Sequence, residues 1–138
     1  MMEPGGYTCR MNYCHSALEA ALAEARSSRP EAGLALLEET LATASGIEDA
    51  RAVALLARNA AILSTALGDL ERAAEHYREA LRHDPGDGYL RLALADAEQR
   101  LGRPERAREL LAECREAATA AGDEELLAVV RRLDGAAC

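Results

Sequence analysis

A repeat of 34 residues is the feature of this sequence that most constrains its fold. When the chain is shifted by 34 positions, Ala-Leu-Gly-Asp-Leu-Glu-Arg-Ala at 66–73 overlays Arg-Leu-Gly-Arg-Pro-Glu-Arg-Ala at 100–107, with five of eight pairs identical. A fixed period of this length is typical of proteins in which one supersecondary unit is stacked several times, because each unit cannot bury its apolar face alone. The sequence therefore favours a repeat architecture.

The composition and periodicity of the chain predict that the repeating unit is made of helices. Phe, Trp and Lys are absent, and Ala, Leu, Glu and Arg dominate, a composition that favours helices over strands. Clusters of Gly, Pro and Asp separate segments in which apolar residues recur every three or four positions. The pattern predicts helices at about 14–27, 30–44, 48–67, 70–83, 87–101, 104–120 and 123–133. Residues 1–13 show no periodicity and are expected to form a flexible tail.

Several predicted helix ends have a local cause. Gly68 and Gly102 stand where a helix needs a residue in the left-handed conformation. Pro30 and Pro104 suit the first turn of a helix, where a missing N–H costs nothing. Asp123 is placed to cap the last helix.

The pattern of small and large residues resembles the tetratricopeptide repeat family, whose unit is a 34-residue helix-turn-helix. Small residues recur in the first helix, and a small residue with a large one four positions later recurs in the second. In residues 54–87 the matching positions are Ala60, Ala61, Ala73, Tyr77 and Pro85; in 88–121 they are Leu94, Ala95, Ala107 and Leu111; 40 residues upstream they are Ala20, Ala21, Gly33 and Leu37.

The resemblance implies an all-α fold: a right-handed α-solenoid of three repeats, at about 14–53, 54–87 and 88–121, and a capping helix at 123–133, together forming one domain over 14–138. Two aromatic positions of the family pattern are filled differently here. Ala57 and Ser64 occupy them in the middle repeat, and Arg91 and Glu98 occupy them in the last. This departure favours closer helix packing lined by alanine.

The same resemblance implies a concave groove lined by the first helix of each repeat, with a protein or peptide segment as its partner. The expected groove residues are His15, Leu18, Leu22, Ala25, Leu55, Arg58, Asn59, Ile62, Thr65, Tyr89, Leu92, Asp96 and Gln99. Four of them have an alternative interpretation as ordinary packing residues: Leu18, Leu22, Ile62 and Leu92. Arg58 and Asn59 match part of the two-carboxylate clamp of chaperone-binding members, but Leu18, Leu22 and Asp96 do not, so binding of chaperone tails is not predicted.

Charge argues against nucleic acid as a partner. The formal net charge is −8, and an acidic chain without a basic stripe lacks the phosphate contacts that supply most of such affinity. A small cluster of arginines alternates with acids and is expected to be a solvated face with pairs along a helix. The cluster comprises Arg100, Arg103, Arg106 and Arg108 with Glu98, Glu105 and Glu109. No segment is apolar enough to span a membrane and no signal peptide is recognisable, so a cytoplasmic location is expected.

Motifs for catalysis are absent from the sequence, and the expectation is a non-enzymatic protein without a cofactor or metal. Cys9, Cys14 and His15 are a weak metal signal, because zinc needs four ligands and Cys138 lies at the far end. Cys114 is expected to be buried as a small apolar residue. The main hypothesis is an adaptor that holds a partner segment; the alternatives are a scaffold that self-associates through groove or end faces and, least favoured, an enzyme.

Overall fold

The computed structural model describes residues 19–23, 29–43 and 50–136, and these ranges contain helices and no strand. Helix α1 is described over residues 19–23. The helices that follow are α2 (Pro30–Thr43), α3 (Ala50–Ala66), α4 (Leu70–His83), α5 (Gly88–Arg100), α6 (Pro104–Ala121) and α7 (Glu124–Ala136). Their ends fall within three residues of the predicted ones. The tail at 1–13 and most of the first predicted helix lie outside the described residues.

Glycine ends three of these helices in the same way. Gly68, Gly102 and Gly122 have φ values of 83°, 79° and 68°, a left-handed conformation that glycine adopts without steric cost. After α3, the Gly68 N–H donates to Thr65 O at 3.0 Å, and the next N–H donates to Ser64 O at 2.9 Å. This bond pair is a Schellman motif, and it recurs at the other two glycines. The chain therefore reverses through equivalent turns inside the second and third repeats.

The helices stack in sequence order. Every extensive contact within the described chain joins consecutive helices, and a small further contact joins α5 to α7. A fold in which each unit touches mainly its neighbours is a solenoid. The predicted fold class, an all-α solenoid of helix pairs with a helix at its carboxyl end, is confirmed.

Alanine forms much of the core between the helices. Ala57, Ala60, Ala61, Ala73 and Ala80 have no exposed surface. Because a methyl group is the whole side chain, neighbouring helix backbones can approach closely at these positions. Larger side chains fill the spaces that remain between repeats. These are Leu37, Tyr77 and Leu111, which are at most 7% exposed.

Gly33 takes this close approach further in the first repeat. It occupies the position that alanine holds in the other two, on α2 facing α1. A Cβ atom added there would lie 2.6 Å from the backbone oxygen of Ala21. Since backbone cannot move aside as a side-chain tip can, the crossing of α1 and α2 requires glycine.

The two positions where the family pattern has aromatic residues are buried in the middle repeat despite their different side chains. Ala57 and Ser64 are fully buried, and the Ser64 hydroxyl donates to Ala60 O in its own helix at 2.8 Å. That bond removes most of the cost of burying a hydroxyl. In the third repeat Glu98 is only 2% exposed, which leaves a carboxylate inside the protein.

Two arginines compensate the buried carboxylate of Glu98. Arg78 on α4 donates to its Oε1 at 3.0 Å, and Arg103 in the turn after α5 donates to its Oε2 at 3.3 Å. Arg103 also pairs with Glu71 at the start of α4. The prediction of a solvated face is therefore wrong for Glu98, which is buried, and the Arg78–Glu98 and Arg103–Glu71 pairs join the second and third repeats. It holds for Arg106, which pairs with exposed Glu109 three residues along α6.

Replacing Gly33 with alanine tests the close approach of α1 and α2. In an unobstructed helix this change adds about 1 kcal/mol of stability. Here we expect a loss of about 1–3 kcal/mol, because the new methyl group collides with backbone. Thermal or urea unfolding measures the change. The control is Gly86→Ala, since nothing lies within 4 Å of a Cβ at Gly86. A more stable Gly33→Ala protein would contradict the packing described here.

Replacing Glu98 with glutamine tests the inter-repeat ion pairs. The amide keeps the shape but loses the charge that accepts from two guanidinium groups, so we expect a loss of about 1–2 kcal/mol. Unfolding in urea gives the difference. Glu109→Gln removes a carboxylate that is 65% exposed, and such surface pairs contribute little. Equal effects of the two substitutions would show that burial of Glu98 has no energetic consequence.

Candidate functional site

Ten of the thirteen residues expected to line a groove lie in the described part of the chain, and we call them the candidate groove. They come from the first helix of each repeat. They are Leu22 on α1; Leu55, Arg58, Asn59, Ile62 and Thr65 on α3; and Tyr89, Leu92, Asp96 and Gln99 on α5. Spacings of three and four residues place each set along one side of its helix. His15, Leu18 and Ala25 lie outside the described residues.

Large apolar side chains are exposed in the candidate groove. Leu55, Ile62 and Tyr89 are 42%, 44% and 48% exposed, and within the described residues the one other large apolar side chain this exposed is Leu133. Leu22 and Leu92 are half-buried and pack against the core. The packing interpretation thus applies to these two leucines, whereas the three exposed side chains keep much of their surface open in the described chain.

Asn59 and Thr65 each donate one hydrogen bond within α3. Asn59 Nδ2 donates to Leu55 O at 2.8 Å, and Thr65 Oγ1 donates to Ala61 O at 2.9 Å. Both bonds run back to the preceding turn of α3. Thr65 therefore offers a partner an acceptor oxygen, whereas Asn59 keeps its amide oxygen and one N–H.

Tyr77 on α4 adds a polar group that the sequence did not assign to the groove. Its ring is buried, and its hydroxyl forms a hydrogen bond with Thr65 and lies near the charges of Arg58 and Asp96. Burial raises the pKa of Tyr77, and the Thr65 bond and the Arg58 charge oppose that rise. The hydroxyl thus stays protonated and lies close to residues of the candidate groove from both α3 and α5. A buried tyrosine whose hydroxyl seeks a polar partner is the signal that could have predicted it.

The two charged residues of the candidate groove differ in whether they form an ion pair. Asp96 pairs with Arg100 on its own helix at 3.3 Å. Arg58 is exposed, and none of the ion pairs found among the described residues includes it. It is also the one cationic side chain among the ten candidate-groove residues. A guanidinium in this state keeps its donors available to a partner.

An apolar pocket lies at the end of the candidate groove nearest α7. Its volume is about 210 Å³. Its walls come from α5, α6 and α7, and Asp96 and Gln99 contribute polar groups to it. The lining residues are Leu92, Ala95, Asp96, Gln99, Ala107, Leu111 and Leu133. Leu133 was expected only to belong to a cap, but it closes one side of this pocket.

The start of α5 carries acids around Tyr89. Partial burial and the nearby carboxylates of Asp123, Glu125 and Asp87 raise the pKa of the Tyr89 phenol. Asp87 accepts from the N–H groups of Tyr89 and Leu90 and caps α5, and Asp123 accepts from Leu126 N and caps α7. The predicted cap at Asp123 is confirmed, and these two carboxylates are occupied by helix ends.

Side chains that could bind a metal ion or act as nucleophiles are spread over the described ranges. No three His, Cys, Asp or Glu side chains among them are arranged to hold a metal ion. Cys114 is buried as expected, and its Sγ donates to Gly88 O at 3.2 Å. Burial raises the pKa of its thiol, so it remains unreactive. Cys9, Cys14 and Cys138 lie outside the described residues. Among the helices described, none has both the length and the apolar character needed to cross a membrane.

Comparison with known proteins assigns this architecture to a family. The tetratricopeptide repeat family model matches residues 64–133, which is 70 of 138 positions, and the chain belongs to that family. A solved structure of a mutant of the protein MamA is similar, with 17% identity and a TM-score of 0.46 over 75% of this chain and 96% of that one. A search of curated proteins gave no match.

Proposed function

We propose that this protein is a non-enzymatic adaptor that holds a peptide or protein segment in the candidate groove. Tetratricopeptide repeats generally mediate protein–protein interaction, and the residues expected to do so here stand on the first helix of each pair. A cytoplasmic location is part of the proposal, as is a partner that is neither nucleic acid nor membrane.

The observation that carries the proposal is the exposure of Leu55, Ile62 and Tyr89. Exposed apolar side chains scattered singly need no explanation, but a group on one face marks an interaction surface. Leu55 and Ile62 lie two turns apart on α3, and Tyr89 occupies on α5 the repeat position of Leu55. A partner segment that crosses α3 and α5 would cover all three and remove their apolar surface from water.

The helices that carry these side chains are well suited to binding. α3 and α5 are fixed by alanine packing on one side, and the Glu98 ion pairs tie α5 to α4. A surface held in this way loses little conformational freedom when a partner arrives, and that increases affinity.

Introducing a charge at Ile62 tests the proposal. A library of random peptides displayed on phage is selected against the wild-type protein and then measured against Ile62→Glu. We expect binding of the selected peptides to fall by about tenfold or more, because a central apolar contact is replaced by a desolvated charge. Fluorescence anisotropy with synthetic peptides gives the dissociation constants.

The matched control is Ala112→Glu, which adds the same charge at an exposed position of α6. It should leave the affinities unchanged within about twofold. Melting temperatures of both variants exclude unfolding as the cause. Peptides that bind equally well to Ile62→Glu and wild type would place the interaction elsewhere, and the groove proposal would be wrong.

Self-association is the alternative function, and the described surface disfavours it at the α7 end. The exposed positions of α7 include Glu124, Glu125, Arg131 and Arg132, so this end resembles a solvated cap more than a stacking surface. Self-association through the candidate groove is therefore the form of this alternative that is tested. For an adaptor, multi-angle light scattering should give the mass of one chain across a wide range of concentration. A mass that rises with concentration and returns to one chain in Ile62→Glu would favour the scaffold.

A further inference from the structure

The charge on Arg58 points to the chemistry of the segment that the candidate groove holds; this inference rests on the proposed function. Arg58 lies on α3 between Leu55 and Ile62, one helical turn from each, so a segment that covers these two side chains passes over the guanidinium. Covering a cation without a partner costs free energy, because its bonds to water are lost. A segment that supplies a carboxylate replaces those bonds with charge-assisted ones.

Three carboxylates near the candidate groove have partners of their own. Asp96 pairs with Arg100 at 3.3 Å, while Asp87 and Asp123 accept hydrogen bonds from the starts of α5 and α7. None of them forms an ion pair with Arg58 among the described residues. The net charge of −8 does not oppose an acidic partner strongly, because charges more than about 8 Å away are screened at physiological salt.

One carboxylate, rather than two, fits the charge available. Arg58 is the single cation in the candidate groove. A chain terminus that follows an acidic residue brings two carboxylates, and the second would meet no cation there. An acidic side chain within a segment brings one.

The pocket beside Leu92 supplies the second point of contact. It is lined mainly by aliphatic side chains and is closed on one side by Leu133. Leu92 occupies on α5 the repeat position that Arg58 occupies on α3, so both belong to the candidate groove on successive first helices. A segment that runs from α3 to α5 can therefore meet the guanidinium and the pocket together.

We propose that the candidate groove recognises an internal segment in which one Asp or Glu binds Arg58 and a nearby apolar side chain enters the pocket beside Leu92. The apolar contacts supply most of the affinity. The carboxylate sets the register of the segment, because a guanidinium orients the group that it binds.

A charge exchange between protein and peptide tests this proposal. Peptides selected from the random library are synthesised with acetylated and amidated ends and measured against wild type and Arg58→Glu. We expect the selected sequences to share an acidic residue near an apolar one, and Arg58→Glu to weaken binding about tenfold or more, since a favourable pair becomes a repulsive one. Changing the peptide acid to Lys should restore binding to Arg58→Glu. Arg108→Glu on α6 makes the same change in net charge and should alter affinity less than about twofold.

The outcomes separate this inference from the proposed function. If no peptide is selected whose binding depends on Ile62, the groove function itself fails. If peptides depend on Ile62 but lack an acid, or bind Arg58→Glu as well as wild type, the groove function stands and the acidic specificity is wrong. Binding only by peptides with a free carboxyl end would also overturn the proposal, because the ligand would be a chain terminus.

Discussion

Close contact between paired helices, at positions too small for any residue but alanine or glycine, is the constraint on which the rest of this structure depends. A short amphipathic helix is unstable alone, and a pair still leaves one apolar side uncovered. Stacking pairs solves the problem only if their backbones approach closely. Ala73 provides that approach in the middle repeat, and Gly33 provides it where even a methyl group would meet the Ala21 backbone at 2.6 Å. Local residue size thus determines the architecture.

Alanine packing also has a consequence for the surface. Because α3 turns small residues such as Ala57 and Ala61 toward its neighbours, its large side chains are not all needed to fill the core. Leu55 and Ile62 are left on the opposite side, where they are 42% and 44% exposed. The feature that makes the stack tight is therefore the one that leaves an apolar surface for a partner.

The sequence predicted those parts of the molecule that depend on local chemistry. Gly68 and Gly102 determine helix ends through their own backbone conformation, so their positions were sufficient to place the turns. Features that depend on neighbours distant in sequence were missed. Glu98 looked solvated because it alternates with arginines along the sequence, and only packing brings Arg78 against it. Leu133 looked like part of a cap because its role in the pocket depends on the angle of α7, which no local pattern encodes.

Selectivity in such a groove comes from charged groups that form no ion pair as much as from apolar contact. Leu55, Ile62 and Tyr89 would accept many apolar segments with similar affinity, since the hydrophobic effect is not directional. Arg58 changes that, because any segment that covers it without a carboxylate leaves a cation poorly solvated. The penalty acts against the wrong partners more than it favours the right one. In a chain with 24 acidic and 16 basic residues, Arg72, Arg78 and Arg103 all find a carboxylate. An arginine that forms no ion pair in the described chain, beside exposed apolar side chains, is therefore the feature best placed to decide which segment binds.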